Sequence, residues 1–180
     1  MKAITISLII VFLLGGIYTQ AQTVPQNTGS DVTQEDAQEA LDFHNKVRRD
    51  VSCPPLKWDV KLAEYAQQWA EFLAQKKNCT LMHRASLRMD TRTDTGENIF
   101  GGFGREYTAL DASMSWYSEI NEYTYRTVTE ANYYNTGHYT QMIWKSSKKI
   151  GIGLAHCSDG GIIIVANYSP AGNYIGQKPY

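Results

Sequence analysis

The chain has 180 residues, of which 43% are hydrophobic and 19% are charged, with a formal net charge of −1 at pH 7. Its length is that of about one ordinary domain. Because acidic and basic residues nearly balance, the composition does not support a nucleic-acid-binding protein or one held at an anionic membrane surface. We therefore expect one globular domain and no nucleic-acid partner.

The N-terminus has the pattern of a secretory signal peptide. Lys2 precedes an apolar run over 3–17, and Ala21 offers a small residue for cleavage. The run is shorter than the ~20 residues of a spanning helix, although an uncleaved anchor is the alternative. We predict a signal peptide over 1–21, a polar and flexible leader over 22–34, and a secreted, extracellular protein without stable membrane insertion.

Hydrophobic periodicity predicts two helices in the first half of the chain. Thr33 can cap the first helix, with Asp36 three residues on, and Pro54-Pro55 ends it. Asp59 can cap the second helix, whose apolar residues keep the spacing of one inward stripe. The polar stretch over 84–95 has no period and is typical of a surface loop.

The second half of the chain predicts shorter elements and a C-terminal hairpin. In order, we expect a strand near 98–100, a glycine turn over 101–104, a helix over 108–122 and a tyrosine-rich connection over 121–136. A brief helix over 139–145 follows. The last elements are strands at 150–154 and 161–165, joined by a turn at Asp159-Gly160. Helices first and a hairpin last imply a sheet covered by helices on both faces, which is an α+β fold of the three-layer α-β-α sandwich type.

The cysteine count is odd, so at least one of Cys53, Cys79 and Cys157 has no partner within the chain. A Cys53–Cys79 bond is disfavoured because a helix between them rises ~1.5 Å per residue, whereas bonded cysteines have Cα atoms roughly 4.4–6.8 Å apart. The residues before Asp59 could nevertheless fold back, and the sequence does not assign the pairing.

Four ordered segments carry a resemblance to a known family. They are His44-Asn45-Lys46-Val47-Arg48, Gly96-Glu97-Asn98-Ile99, Gly137-His138-Tyr139-Thr140-Gln141-Met142-Ile143-Trp144 and the stretch from Ile163 to Tyr174. Together they resemble the CAP superfamily of cysteine-rich secretory proteins, antigen 5 and pathogenesis-related protein 1, and within it the plant pathogenesis-related 1-like proteins. The resemblance places a CAP (SCP) domain over 35–180 and implies the same α-β-α sandwich.

The resemblance also bears on the cysteines. Cys79 and Cys157 occupy cysteine positions of the plant proteins, while the usual partner positions hold Thr136, Ile152 and Ala166 here. Ala166 is the clearest departure, because most of the family has a cysteine there.

The resemblance implies a central cleft built from two histidines and two acids, which are His83, His138, Glu97 and Glu119. Such a donor set suits Zn²⁺ with room left for water, so Zn²⁺ is the cofactor implied. Spacing alone would not reveal this site, since no pair has the His-Glu-x-x-His helical spacing. The alternative is a buried polar network in which the histidines neutralise the acids, because an unpaired buried carboxylate is costly.

Other reactive side chains indicate structural roles. His44 lies on the inward stripe of the first helix, where a structural hydrogen bond is the better interpretation, and His156 is expected at the surface. Ser118 and Ser169 lie in no nucleophile motif, and nothing specifies a pair of oxyanion donors. We therefore name no catalytic residue.

A lipid-binding hypothesis starts from five tyrosines ahead of His138. They are Tyr117, Tyr123, Tyr125, Tyr133 and Tyr134. An aromatic loop can cover a flat hydrocarbon ligand, and the corresponding loop is implicated in relatives that bind sterols. The alternative is that these tyrosines pack a long loop onto the core.

Asn78-Cys79-Thr80 is an acceptor sequence for N-glycosylation at the expected end of a helix. The sequence as a whole predicts a secreted CAP-domain protein that binds an extracellular lipid or sterol, with a cleft able to take a divalent metal, in a defence or host-interaction role. The alternatives are a protein-interaction effector, immune-modulating or toxin-like, that binds an extracellular protein without a small ligand, and a metal-dependent hydrolase.

Overall fold

The computed structural model describes residues 22–84 and 95–180, so the predicted signal peptide and most of the loop over 84–95 lie outside the described residues. The elements in chain order are α1 (Gln34–Asp50), β1 (Lys57–Trp58), α2 (Val60–Lys76), β2 (Gly96–Gly102), α3 (Ala109–Tyr117), a 3-10 helix (Ser118–Glu122), α4 (Glu130–Met142), β3 (Lys149–His156) and β4 (Ile162–Ser169). None of the helices in this part of the chain has the length and hydropathy needed to cross a bilayer.

The four strands form one sheet in the order β1-β3-β4-β2. β1 is parallel to β3, while β4 pairs antiparallel with both β3 and β2. Side chains alternate between the faces, so Ile164 and Tyr168 of β4 pack among α1, α3 and α4, whereas Ile163 and Val165 pack against α2. The predicted α-β-α sandwich is confirmed.

The α2 layer lies directly on β3. A Cβ at Gly151 or Gly153 would overlap the backbone of α2, so glycine permits this close approach. Gln67 then ties helix to strand, because its Nε2 donates to the Leu154 carbonyl at 2.9 Å and its Oε1 accepts the Leu154 N–H at 3.0 Å.

The two predicted helix caps are confirmed. Thr33 accepts the Asp36 N–H and Asp59 accepts the Leu62 N–H. The Asp36 carboxylate, however, accepts N–H groups of Ala109 at 2.7 Å and of residue 110 at 3.0 Å. It therefore caps α3 across the fold rather than completing a capping box within α1.

Helix α4 is longer than predicted. The sequence indicated a connection up to Thr136 and a helix only from Tyr139, whereas the helix starts at Glu130 and ends at Met142. Thr129 caps it in a reciprocal capping box with Asn132. Tyrosine and asparagine are weak helix formers, which hid this start in the sequence.

Several other boundaries differ from the predictions. Helix α3 ends at Tyr117 and continues as the 3-10 helix, and β4 extends to Ser169. The predicted glycine turn is wrong for Gly101 and Gly102, which belong to β2. Leu81 and Tyr107 cover the space where side chains at these two positions would lie.

The predicted flexible leader contacts the core. Val24 and Val32 are 0% and 3% exposed. The Gln22 side chain accepts the Trp58 N–H at 2.8 Å, and the Trp58 indole donates to the Thr28 carbonyl at 2.9 Å. The polar composition concealed two apolar anchors, Val24 and Val32, which hold this segment against the core.

The disulfide joins Cys79 to Cys157, with Cα atoms 6.1 Å apart. It links the end of α2 to the end of β3. Cys53 is a free, buried thiol that donates to the Ile143 carbonyl at 3.2 Å.

Candidate functional site

The four predicted cleft residues form two histidine–carboxylate pairs. His83 Nδ1 lies 2.8 Å from Glu97 Oε1, and His138 Nδ1 lies 2.6 Å from Glu119 Oε1. The two imidazole side chains are 45% and 37% exposed, whereas the carboxylates are 11% and 19% exposed. Each pair therefore has its carboxylate inside the fold and its imidazole towards solvent.

Glu119 is held between two elements. It lies on the 3-10 helix, and its second carboxylate oxygen accepts the Tyr139 N–H of α4 at 3.0 Å. The His138 ring stacks near the Trp116 indole, with ring centroids 6.4 Å apart. One carboxylate thus fixes both the backbone and the imidazole at this point of α4.

Glu97 lies near the start of β2. It is opposite Asn167 in the register, so its side chain leaves the sheet on the α2 side. Its Oε1 also accepts the Arg84 N–H at 3.1 Å. The Arg84 guanidinium lies 3.6 Å from the centroid of the Tyr65 ring. These contacts fasten the chain after α2 to the sheet and place His83 beside Glu97.

The Tyr133 phenol is influenced by the charges of both pairs. Burial raises the pKa of Tyr133, and the charges of Glu119 and Glu97 raise it further. The charges of both carboxylates therefore act on this one phenol. The Tyr133 ring also covers Gly137, where a Cβ would be 2.9 Å from it.

The sequence placed Tyr133 in a lipid-binding loop and missed its position on α4 over Gly137. Once α4 is known to begin before it, the spacing of Tyr133 to Gly137 is the one-turn spacing of a helix. That spacing is the signal that could have found it.

A buried hydrogen-bond chain supports the backbone of His138. Asn98 Nδ2 donates to the His138 carbonyl at 3.1 Å and to the Tyr168 hydroxyl at 3.2 Å. That hydroxyl lies 2.9 Å from His44 Nε2, while His44 Nδ1 lies 2.8 Å from the Ala40 carbonyl. A carbonyl only accepts, so Nδ1 carries the proton and Nε2 accepts from Tyr168. The structural role predicted for His44 is confirmed.

The two pairs contain donor atoms of the kind that a metal ion takes, through the histidines. Both Nδ1 atoms contact carboxylates, which leaves Nε2 of each ring as the ligand atom; carboxylate–histidine pairs of this kind orient metal ligands. Metal sites need several His, Cys, Asp or Glu side chains close together. Within 22–84 and 95–180, the three side chains of these types whose ligand atoms all lie within 4.8 Å of one another are Cys79, Cys157 and Asp159. The two sulfurs form the disulfide, so they are not thiolate ligands.

The five tyrosines of the predicted lipid loop do not share one loop. Tyr117 ends α3 and packs edge-on against Phe43, with ring centroids 5.5 Å apart. Tyr123 packs against Tyr139, with ring centroids 5.0 Å apart. Tyr125 stacks on Tyr180, while Tyr133 and Tyr134 lie on α4. Two of the five therefore pack onto the core, as the alternative interpretation expects. Of the other predicted positions, Asn78 and His156 are exposed.

Comparison with known proteins identifies the family of this chain. The model of the cysteine-rich secretory protein family, CAP, matches residues 41–168. The chain is 38% identical over 149 residues to the pathogenesis-related protein PR-1 type of Sambucus nigra, covering 83% of this chain and 84% of that protein. It is 39% identical over 147 residues to pathogenesis-related protein 1C of Nicotiana tabacum, covering 82% of each.

Two solved structures have a fold similar to that of this chain. NaASP2, solved with Zn²⁺, superposes with a TM-score of 0.70 at 26% identity, covering 87% of this chain and 88% of that one. BmVAL-1 superposes with a TM-score of 0.71 at 26% identity, covering 84% of each. The chain therefore belongs to the CAP family of cysteine-rich secretory proteins.

Proposed function

We propose that this chain is a secreted, extracellular binding protein with a defence-related role, and that its cleft binds a divalent metal ion, with Zn²⁺ the ion that best suits the donors. The observation that carries the proposal is the pairing of both cleft imidazoles with carboxylates through Nδ1. The pathogenesis-related proteins among its relatives support the defence setting.

The paired carboxylates explain how these histidines would serve as ligands. A carboxylate that accepts the Nδ1–H bond fixes the tautomer, orients the ring and makes Nε2 more basic. His83 and His138 would hold the ion through Nε2, with Glu97 and Glu119 as orienting groups. Water can occupy the remaining coordination positions, because zinc sites with few protein ligands keep open positions. The Zn²⁺ in the structure of NaASP2 adds support.

The competing explanation is that the two pairs only stabilise the cleft. Calorimetric titration with Zn²⁺ separates the two. We expect wild type and His156→Ala, a control at an exposed histidine outside the cleft, to bind Zn²⁺ equally. The Zn²⁺ affinity of His83→Ala and of His138→Ala should fall by at least about 10–100-fold, the loss typical of removing an orienting residue. Equal affinity in all four proteins would mean that the cleft is not a metal site.

Lipid or sterol binding is the second candidate. The observation that favours it is the exposure of Tyr125 and Tyr134, which are 46% and 84% exposed and so can contact a ligand. Because Tyr117 and Tyr123 pack in the core, the test uses Tyr125→Ser with Tyr134→Ser and leaves the packed tyrosines intact. Uptake of a radiolabelled sterol or fatty acid should fall in this double variant. Unchanged uptake would place any lipid site elsewhere.

A further inference from the structure

A groove opens beside the disulfide, between the end of α2 and the edge where β2 ends and β4 begins. It has a volume of about 340 Å³, and its lining includes Asn78, Leu81, Phe103, Asp159 and Ile162. Leu81 packs closely over Gly101 in this groove, with Cδ2 3.0 Å from the position that a Cβ would take. The volume is at the lower end of the roughly 300–1,000 Å³ of small-ligand sites.

Two large apolar side chains in this groove face solvent. Leu81 is 53% exposed and Phe103 is 67% exposed. A single exposed apolar residue is ordinary, but two of them in one concavity form a surface that an occupant would cover. Asp159 adds a carboxylate, so the groove combines an aromatic face with a hydrogen-bond acceptor.

The wall of the groove contains a glycosylation acceptor. Asn78 begins the sequence Asn78-Cys79-Thr80, and both Asn78 and Thr80 are exposed. Asn78 has φ +47° in the turn that follows α2. The neighbouring Cys79 is anchored to β3 through its disulfide with Cys157. An attachment at Asn78 would therefore start from a fixed point on the groove itself.

We propose that Asn78 carries an N-linked glycan and that the first sugar rings of this glycan lie in the groove against Phe103. In the transfer, the side-chain amide nitrogen bonds to C1 of the first sugar and loses a proton. The bond between that carbon and a pyrophosphate oxygen breaks, so the polyprenyl pyrophosphate that carried the oligosaccharide leaves. This carrier is the co-reactant, and the secretory pathway supplies it.

The groove has the chemistry that a sugar ring requires. The C–H groups on one face of a pyranose are weakly positive and pack on the negative face of an aromatic ring, which Phe103 provides. Sugar hydroxyls donate to carboxylates, and Asp159 lies on the same groove. The glycan would thus bury apolar surface that the polypeptide leaves exposed.

The order of synthesis allows this modification despite the disulfide. Cys157 lies 78 residues after Cys79. At 5–20 residues per second, it is made about 4–16 s later. During that interval Cys79 has no bond to Cys157, so the disulfide does not hold the acceptor sequence against β3.

The modification is tested on the full chain secreted from a eukaryotic host. Intact-mass spectrometry before and after peptide N-glycosidase treatment should show one glycan in wild type and in Thr80→Ser. No glycan should be present in Thr80→Ala, which removes the hydroxyl but keeps Asn78. An unmodified Asn78 in the secreted wild-type protein would overturn the proposal.

The position of the glycan is tested by comparing the melting temperatures of glycosylated and deglycosylated protein. Deglycosylation should lower the Tm of wild type by about 2–4 °C, the size expected for one modest contact in a domain of this length. The loss should be the same in Tyr134→Ala, a control at another exposed aromatic, and less than half as large in Phe103→Ala. Equal losses in all three, or no loss in wild type, would show that the sugars do not occupy the groove.

Discussion

Glu119 and His138 are joined twice, once through the imidazole and once through the adjoining backbone. One carboxylate oxygen contacts His138 Nδ1 at 2.6 Å, and the other accepts the N–H of Tyr139, the next residue, at 3.0 Å. The carboxylate therefore sets both the direction of the ring and the position of α4 against the 3-10 helix. This double contact makes Glu119 a structural residue as well as a part of the proposed metal site.

Replacing Glu119 should consequently lower stability and metal affinity together. In Glu119→Ala the buried Tyr139 N–H loses its partner, which costs about 1–3 kcal/mol of unfolding free energy. Zn²⁺ affinity should fall about 10–100-fold. Urea unfolding and calorimetry measure the two effects. Glu122→Ala, an exposed acid on the same 3-10 helix, is the control and should change neither quantity.

Gly137→Ala tests whether Tyr133 shapes the cleft. The added Cβ would be 2.9 Å from the Tyr133 ring, so the ring must move. Overpacking of this kind costs about 1–3 kcal/mol. The double variant Gly137→Ala with Tyr133→Ala should be less destabilised than the sum of the two single variants, because the contact is already absent. Additive free energies of unfolding would show that the two residues do not interact.

Stability should depend on pH through His44. Burial lowers the pKa of His44 from 6.5 to about 4 in the folded protein, with Arg48 adding to the effect and the Ala40 carbonyl opposing it. Between these two values the unfolded chain binds the proton and the folded protein does not. Stability is therefore complete above pH 6.5 and falls as the pH decreases towards 4, by about 3 kcal/mol in total.

Urea unfolding from pH 7 to pH 4 measures this dependence. In His44→Gln, which cannot titrate, the pH dependence over that range should be smaller by this amount. His156→Gln is the matched control, because His156 is exposed, and should unfold like wild type. An unchanged pH dependence in His44→Gln would contradict the role assigned to His44.

The Cys79–Cys157 bond should dominate the redox dependence of stability. It closes a loop with a sequence separation of 78 residues, and the chain-entropy relation for such a loop gives about 4.5 kcal/mol. Reduction should lower the unfolding free energy of wild type by about that amount. The same reduction should leave Cys79→Ser with Cys157→Ser unchanged. A comparable loss in that double variant would implicate Cys53 instead.

Most of the fold could be predicted from local sequence signals and from the order of the motifs. Thr33 and Asp59 could be assigned as caps because a cap is a matter of a few neighbouring residues. The start of α4 could not, since Thr129 and Asn132 open a segment of weak helix formers that the fold stabilises. The contacts of the leader could not be predicted, because the burial of Val24 depends on α1 and β1, which lie elsewhere in the sequence.

The candidate site was predicted as four residues, with pairs of histidines and acids as the alternative to a metal site. His83 and Glu97 are separated in sequence by a surface loop, and Glu119 and His138 lie on different helical elements, so pairing is a tertiary property. The same holds for the cysteines, whose spacing left several pairings open. Tyr133 was assigned to a loop because the sequence did not reveal that α4 begins before it.

The metal site is tested most directly by nitrogen-detected NMR of the histidine side chains during a Zn²⁺ titration. This measurement distinguishes Nδ1 from Nε2 in every ring. Zn²⁺ should shift Nε2 of His83 and His138 while their Nδ1 atoms keep their protons, and the signals of His44 and His156 should not change. Unshifted signals from His83 and His138 at saturating Zn²⁺ would contradict the proposed function and leave the two pairs as structural contacts.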